Sequence, residues 1–353
     1  MRRGLISWSK TELPPSVLDA RVARAQAAMA DARVDALAIY TDPARSGGGS
    51  WLTGFVPYWN RAVVVLPRAG KPVLYTGMSK RVHTWIKANA HLEEVTYSTA
   101  IGADVAKAVT GNKSGAIIAV PDINTVPGGI LDSMSNDGAS VVDGTALLAK
   151  LRAAPDATEL TFAFKAANIA RAGLAKATAA ERDGATLVGL IDGEARRQGA
   201  EEVYVGLAAD LAKSKALLRL EGTVALGASF AVRVSVAYKG VWVRMTRTFA
   251  RDQAQAAEIA AATERFAAAA SMLPRTDAMS FASWLVEGCR TTQPLEPLAG
   301  SILADQIAIA PGTYVSVQAT IDTAKGPVLV GAPVLLGRGG EASACMASPQ
   351  FDA

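Results

Sequence analysis

The stretch AVRVSVAYKGVWVRMTRTF, residues 231 to 249, decides the fold. Valines recur at alternate positions on both sides of Tyr238-Lys239-Gly240, which is typical of two half-buried β-strands joined by a tight turn. Each strand carries one arginine on the face opposite its valines, Arg233 in the first strand and Arg244 in the second. The pattern therefore predicts an antiparallel hairpin with both arginines on one face, at directly opposed or diagonal positions.

Helical and extended segments on either side of this hairpin predict two domains, as the length of 353 residues also favours. In the first part, a helix from Ser16 to Arg33 precedes short apolar runs, which predicts an α/β domain. A second domain opens where Asp156 and Glu159 form a capping-box pattern before an Ala-rich segment, predicted as a helix over 157–181. We place the domains at 1–148 and 149–353. The apolar runs of the first domain are 36–40, 62–66, 73–75, 116–120 and 140–142.

The remaining segments predict an α+β second domain. A helical stretch reaches Arg197, and two further helices are predicted over 253–272 and 276–289. Strands are predicted over 203–208, 313–320 and 327–336, in addition to the hairpin. The glycine run at 47–49 is interpreted as a loop, because it lacks the downstream Lys and Ser or Thr of a phosphate-binding loop.

Composition excludes several classes of function. The net charge is only +4, with no basic block interleaved with aromatic residues, so we expect no nucleic-acid binding. Two cysteines cannot build a disulfide framework, and no apolar run approaches the length of a membrane span, which together predict a cytoplasmic protein without a membrane partner. The two histidines, His83 and His91, are expected at the surface or an interface, and no cofactor is predicted.

Four features make the chain resemble the creatinase, aminopeptidase P and prolidase family, whose catalytic half has the pita-bread fold. They are Trp51-Leu52-Thr53-Gly54-Phe55, the junction Leu151-Arg152 before a long helix, the hairpin ending in Thr246-Arg247-Thr248, and the turn Pro311-Gly312-Thr313-Tyr314. The resemblance implies an α/β creatinase-like N-terminal domain followed by an α+β pita-bread domain.

The resemblance also implies five metal ligands, and the matching positions here hold other residues. The two Asp positions are Arg233 and Arg244, and the two Glu positions are Gln318 and Gly331. The stretch 285–297, where the family has its ligand His, contains no histidine. Because guanidinium groups repel a divalent cation, we predict that no metal binds here.

The two arginines have two interpretations. Acidic neighbours could neutralise them as structural ion pairs, or they could clamp a carboxylate or phosphate, for which a guanidinium offers a bidentate fork. We predict a substrate-binding group around these arginines, with Glu202 as the candidate proton carrier. Its other members are Arg247, Gln318, Tyr314 and Tyr238.

Arg61 is the candidate from the N-terminal domain. It follows the aromatic segment Phe55-x-Pro57-Tyr58-Trp59-Asn60. In creatinase-like dimers this part of the domain reaches toward the neighbouring subunit's active site, and an Arg there is similar to one that holds the substrate carboxylate. The resemblance therefore implies a homodimer, although a hetero-oligomer with a related subunit stays open.

Two functions remain open on the sequence. The first is a metal-independent, creatinase-like hydrolase that cleaves a C–N bond of a small carboxylate-bearing amide, ureido or guanidino compound. The second is a non-catalytic pita-bread protein that binds an anionic ligand or pairs with an active sibling subunit, since a fold does not determine a function. The retained polar residues of the hairpin region favour the enzyme.

Overall fold

The computed structural model describes residues 9–43, 47–57, 59–111, 115–136, 138–275, 279–288, 311–338 and 341–346. The chain divides into two compact units, with the change at Ala153 and Ala154. None of the helices within these ranges combines the length and the apolar character needed to cross a lipid bilayer.

The N-terminal unit is built on a mixed sheet in the order β4-β3-β2-β1-β5-β6. The apolar runs predicted as strands form β1, β2, β3, β5 and β6, and β2 and β3 form an antiparallel pair. The strands are β1 (Ala36–Thr41), β2 (Ala62–Pro67), β3 (Val73–Thr76), β4 (Glu94–Tyr97), β5 (Ile117–Val120) and β6 (Ser140–Asp143), and the helices are α1 (Pro15–Asp31), α2 (Gly47–Thr53), α3 (His83–Ala88), α4 (Ile101–Thr110), α5 (Gly128–Asn136) and α6 (Thr145–Arg152).

Alternating residues of these strands supply two apolar layers, one on each side of the sheet. Leu37 and Val64 pack in one layer with residues of α1. Ala38 and Val65 pack in the other with Val105 of α4. The sheet is therefore covered by helices on both faces, as a mixed sheet with buried strands requires.

Two expectations for this unit were wrong. The glycine run at 47–49 is not a loop, because it forms the first turn of α2. A Cβ on Gly49 would lie 3.2 Å from the Thr41 side chain, so glycine lets this helix approach β1 closely. His91 is not a surface residue: its side chain is buried, and its Nε2 lies 2.8 Å from Asp19 Oδ1.

The C-terminal unit is built on a larger, mainly antiparallel sheet in the order β11-β12-β13-β10-β9-β7-β8, with β14 paired to β13. The strands are β7 (Glu202–Ala208), β8 (Leu218–Arg219), β9 (Ser229–Tyr238), β10 (Val241–Ala250), β11 (Ser283–Gly288), β12 (Tyr314–Thr323), β13 (Gly326–Leu335) and β14 (Ala344–Cys345), and the helices are α7 (Ala157–Leu174), α8 (Gly184–Arg197) and α9 (Gln253–Ser271).

The capping box at Asp156 forms as predicted, since Asp156 and Glu159 exchange side-chain-to-backbone hydrogen bonds at the start of α7. The helix ends at Leu174, earlier than the predicted residue 181. The predicted helix over 276–289 was wrong: within its described part, Ser283–Gly288 is strand β11, antiparallel to β12. Alternation over this short segment agrees with both periods, and pairing with β12 decides between them.

The hairpin β9–β10 has the predicted architecture. Lys239 and Gly240 both have positive φ, as a two-residue hairpin turn requires. Arg244 is opposite Ser235, and Thr246 is opposite Arg233, so the two arginines lie on one face at diagonal positions. Helices cover the other face: α9 packs Phe266 against Val317 and Val330, and α7 packs Phe162 against Tyr238. We call the face that carries Arg233 and Arg244 the site face, and the opposite face the helix-covered face.

Candidate functional site

One row of directly paired residues crosses the site face from edge to edge. Because paired residues in neighbouring strands point to the same face, the strand registers alone define this row. Its members, in spatial order from β8 to β11, are Arg219, Gly206, Arg233, Thr246, Gly331, Gln318 and Leu285. The row brings two predicted residues, Arg233 and Gln318, into one cross-strand alignment.

Arg244 is held by an ion pair. Its Nη1 lies 2.6 Å and 2.5 Å from the two carboxylate oxygens of Glu287 on β11, and its Nε donates to Ser235 Oγ at 3.1 Å. The Arg244 side chain is 3% exposed and that of Glu287 is 13% exposed, so the pair is nearly dry. This geometry matches the first interpretation of the arginines, a structural ion pair, for Arg244.

The surroundings of Arg233 differ from those of Arg244. Its Nε is buried and has no hydrogen-bond partner among the described residues. Burial, and to a smaller extent the positive charge of Arg244, lower the pKa of Arg233 to about 10, although the negative charge of Glu287 opposes both effects. A buried cationic donor without a partner is costly, and an anion beside it would remove that cost.

A chain of hydrogen bonds joins the neutral residues next to Arg233. Thr246 Oγ1 donates to Gln318 Oε1, and Gln318 Nε2 donates to Ser316 Oγ at 2.9 Å. The Gln318 side chain lies across Gly331, where an added Cβ would be 2.1 Å from Gln318 Oε1. Because Gly331 has no side chain, it leaves the space that the Gln318 side chain occupies.

A cavity of about 430 Å³ lies over this part of the sheet. Its floor includes Arg233, Thr246 and Gln318, and apolar side chains such as Leu285 and Leu329 form part of its wall. Lys215 and Arg219 also line it, and its described lining contains no Asp, Glu or His. The cavity is therefore cationic.

The structure brings only some of the predicted residues to this cavity. Glu202 is on the site face and buried, but it is paired with Ala237 and accepts a hydrogen bond from Tyr204 at 2.9 Å. It is absent from the described cavity lining. Tyr314 is buried on the same face, four residues along β12 from Gln318.

Tyr238 and Arg247 are on the helix-covered face, away from the cavity. Tyr238 accepts a hydrogen bond from Lys165 of α7 at 2.6 Å, and its ring packs against Phe162. Arg247 is paired with Val232 and neighbours Arg171 of α7, whose charge adds to burial in lowering the pKa of Arg247. Their predicted place beside Arg233 was wrong, because both are an odd number of strand positions away from the site-face residues.

Arg61 belongs to the N-terminal unit, where it is exposed. It lines a separate cavity of about 560 Å³ in that unit, together with Asn60 and Ser98 and the first residues of α4 and α5. The substrate contact predicted for Arg61 concerns a neighbouring subunit, so it stays a prediction.

Sequence reasoning missed Glu287, Arg219 and Lys215. Glu287 was hidden by the predicted helix, although its two-residue spacing from Leu285 would have placed both on one face of a strand. Lys215 and Arg219 carry no local pattern, and only the pairing of β8 with β7 brings them to the cavity.

No family model and no curated protein matches the chain. Solved structures do. The dipeptidase PepE from Mycobacterium ulcerans is 17% identical, with 95% of this chain and 97% of that chain covered and a TM-score of 0.66. The Xaa-Pro dipeptidase from Bacillus anthracis is 15% identical, with 94% and 98% covered and a TM-score of 0.69. The prolidase from Pyrococcus horikoshii is 14% identical, with 93% and 98% covered and a TM-score of 0.68.

The chain has the pita-bread fold. The predicted fold class, an α/β creatinase-like domain followed by an α+β pita-bread domain, is confirmed. At these identities the likeness establishes the fold alone, and the chemistry has to be argued from the side chains.

At the positions where the resemblance implies metal ligands, the described side chains do not fit a divalent cation. Arg233 and Arg244 present two guanidinium groups, and Arg244 engages both oxygens of Glu287. Gln318 covers Gly331, so no side chain could extend from position 331 without displacing it. Among the described residues, no group of three or more His, Cys, Asp or Glu is arranged to hold a metal ion.

Proposed function

We propose that this protein binds a small carboxylate-bearing compound at Arg233, without a metal ion. The observation that carries the proposal is the buried Nε of Arg233, which has no partner among the described residues and belongs to a cavity without a described acidic lining residue. A carboxylate is a suitable ligand because a guanidinium donates two parallel hydrogen bonds to it. Thr246 and Gln318 supply further polar contacts on the cavity floor.

The ion pair of Arg244 and Glu287 supports the same proposal. Because Glu287 neutralises Arg244, it leaves the charge of Arg233 for a ligand. The pair still leaves a net positive potential at Arg233, because Arg244 lowers the pKa of Arg233 by more than Glu287 raises it, and this potential favours an anion there.

A titration tests this function. After dialysis against EDTA, a straight-chain monocarboxylate should bind to the unsubstituted protein. Arg233→Gln should weaken binding about tenfold or more, the scale of a lost charge-assisted hydrogen-bond pair. The matched control is Arg265→Gln, which removes the same charge from an exposed position on α9. Equal affinities of the two variants would contradict the proposal.

Hydrolysis of the bound compound is the second candidate. The similar structures include a dipeptidase, an Xaa-Pro dipeptidase and a prolidase, which favours cleavage of a C–N bond in an amide, ureido or guanidino acid. A metal-free reaction needs a proton carrier. Glu202 is the predicted one, held by the Tyr204 hydroxyl, whereas both oxygens of Glu287 are engaged by Arg244.

A turnover assay separates hydrolysis from binding alone. Ureido acids, guanidino acids and Xaa-Pro dipeptides would be incubated with EDTA-treated protein and with its Glu202→Gln variant. Turnover that is lost in the variant supports metal-free hydrolysis. Binding without turnover supports the non-catalytic alternative, and turnover that appears only after Mn²⁺ is added contradicts both.

A further inference from the structure

The charge of the cavity exceeds what one carboxylate would neutralise. Lys215, Arg219 and Arg233 all line it. Lys215 has a local counter-charge, because its Nζ lies 3.4 Å from Asp322 Oδ1. Arg219 has no ion pair with a carboxylate of the described residues, and neither has Arg233. Two guanidinium groups therefore line one cavity without an ion pair to a carboxylate of the described residues.

The backbones of the two arginines are held at a defined spacing. Arg219 and Arg233 are both paired with Gly206, one from each neighbouring strand. Their backbones are therefore two strand spacings apart, about 10 Å. Gly206 places no side chain between them, and Leu217 packs against it, with its carbonyl oxygen 3.4 Å from where a Cβ would be.

The walls of the cavity add a requirement for the middle of the ligand. Leu217, Leu285 and Leu329 line it together with the charged groups. Leu217 packs against Gly206 between the two arginine positions, which favours an aliphatic segment in the ligand, and the volume of about 430 Å³ admits a small ligand. Arg233 is half-buried and Arg219 is exposed, so one anionic group would be deep and the other near solvent.

We propose that the ligand is a small aliphatic dicarboxylate, with one carboxylate at Arg233 and the other at Arg219. This rests on the proposed function, because it takes the anion site at Arg233 as given and adds a second one. Binding one dianion neutralises both guanidinium groups, which a monocarboxylate cannot do. The methylene chain then contacts Leu217, which packs against Gly206 between the two arginines.

Calorimetric titration of the full chain with three sets of probes tests the proposal. The probes are straight-chain dicarboxylates of four to seven carbons, monocarboxylates of the same lengths, and inorganic phosphate. The proteins are the unsubstituted chain, Arg219→Gln, Arg233→Gln and the control Arg265→Gln. Arg219 is exposed, and the ligand series on the unsubstituted chain provides a comparison that needs no variant.

We expect one dicarboxylate length to bind about tenfold more tightly than its monocarboxylate. Arg219→Gln should abolish that difference, whereas Arg233→Gln should weaken the binding of both dicarboxylates and monocarboxylates. If dicarboxylates bind no more tightly than monocarboxylates, the dicarboxylate proposal is wrong and the site at Arg233 stands. If neither class binds, the proposed function is wrong as well. Phosphate binding that exceeds every dicarboxylate and persists in Arg219→Gln would replace the proposal with a single tetrahedral anion.

Discussion

At the residue scale, Glu287 separates the roles of two arginines that look equivalent in the sequence. It forms an ion pair with Arg244, whereas the buried Nε of Arg233 has no hydrogen-bond partner among the described residues, which is why we propose a ligand at Arg233. The sequence was enough to predict that Arg233 and Arg244 lie on one face, because apolar residues alternate along both strands of the hairpin. Their division of roles could not, because Glu287 is more than forty residues away and its strand was taken for a helix.

Removing the Glu287 charge should destabilise the protein. In Glu287→Gln, the buried Arg244 loses its counter-charge and also repels Arg233, so we expect the free energy of unfolding to fall by about 3 kcal/mol. Urea denaturation measures it. The control is Asp192→Asn, which breaks an exposed pair with Arg196 and should cost no more than about 0.5 kcal/mol.

A double variant checks the cause of that loss. Combining Arg244→Leu with Glu287→Leu removes both charges and should cost less than either single substitution, since no buried charge is left without a partner. Additive losses in the double variant would contradict the ion-pair account.

His91 provides a pH-dependent prediction. Burial lowers the pKa of His91 below its ordinary value of 6.5, and Asp19 partly opposes this effect. The unfolded chain therefore takes up a proton more readily than the folded chain as pH falls below 6.5, so stability should decline in that range. His91→Gln should flatten the dependence, measured as urea midpoints at pH 7.5 and 5.5.

Asp19→Asn tests the second influence on the pKa of His91, which is the nearby carboxylate. Without the Asp19 charge and hydrogen bond, the pKa of His91 should fall further, which NMR titration of the imidazole detects. A rise in the pKa of His91 in this variant would contradict the role of Asp19 in opposing the effect of burial.

At the element scale, most features of the site that the sequence could not predict result from strand pairing. Period-two alternation correctly predicted β9, β10 and the polar face of β12, because their apolar residues are regularly spaced. The same rule, applied to Tyr238 and Arg247, would have placed both on the helix-covered face. The row from Arg219 to Leu285 depends on registers between strands distant in sequence, which no local pattern contains.

The contact between Gln318 of β12 and Gly331 of β13 leads to a prediction about stability. In Gly331→Ala, the new Cβ would displace the Gln318 amide and break its bonds to Thr246 and Ser316, at a cost of about 1–2 kcal/mol. Thermal or urea unfolding measures the loss. Adding Gln318→Ala should make the glycine substitution nearly neutral; a full cost in that background would mean that Gln318 is not what excludes a side chain at position 331.

At the scale of the whole molecule, a pita-bread fold carries a cavity that is lined by Lys215, Arg219 and Arg233 and has no acidic residue in its described lining. The similar structures cover more than nine-tenths of the chain at TM-scores of 0.66 to 0.69, with identities of 14 to 17%. The order of four motifs along the chain was enough to predict this fold. The ligand could not be predicted in the same way, because it depends on which charges are left without a partner after folding.

The assembly is also a prediction at this scale. We expect a homodimer with twice the chain mass of 36.6 kDa, as the resemblance to creatinase-like proteins implies. Light scattering coupled to size-exclusion chromatography measures the mass. A stable homodimer would count against the version in which this chain is the inactive partner of a sibling subunit, and a monomer across micromolar concentrations would contradict the dimer.

The most direct test is a crystal structure of the protein soaked with a straight-chain dicarboxylate and Mn²⁺, with anomalous data collected for the metal. We expect a carboxylate within hydrogen-bonding distance of Arg233 Nε and no anomalous peak beside Gln318 and Gly331. An ordered Mn²⁺ on the site face, or a dicarboxylate bound away from Arg233, would contradict it.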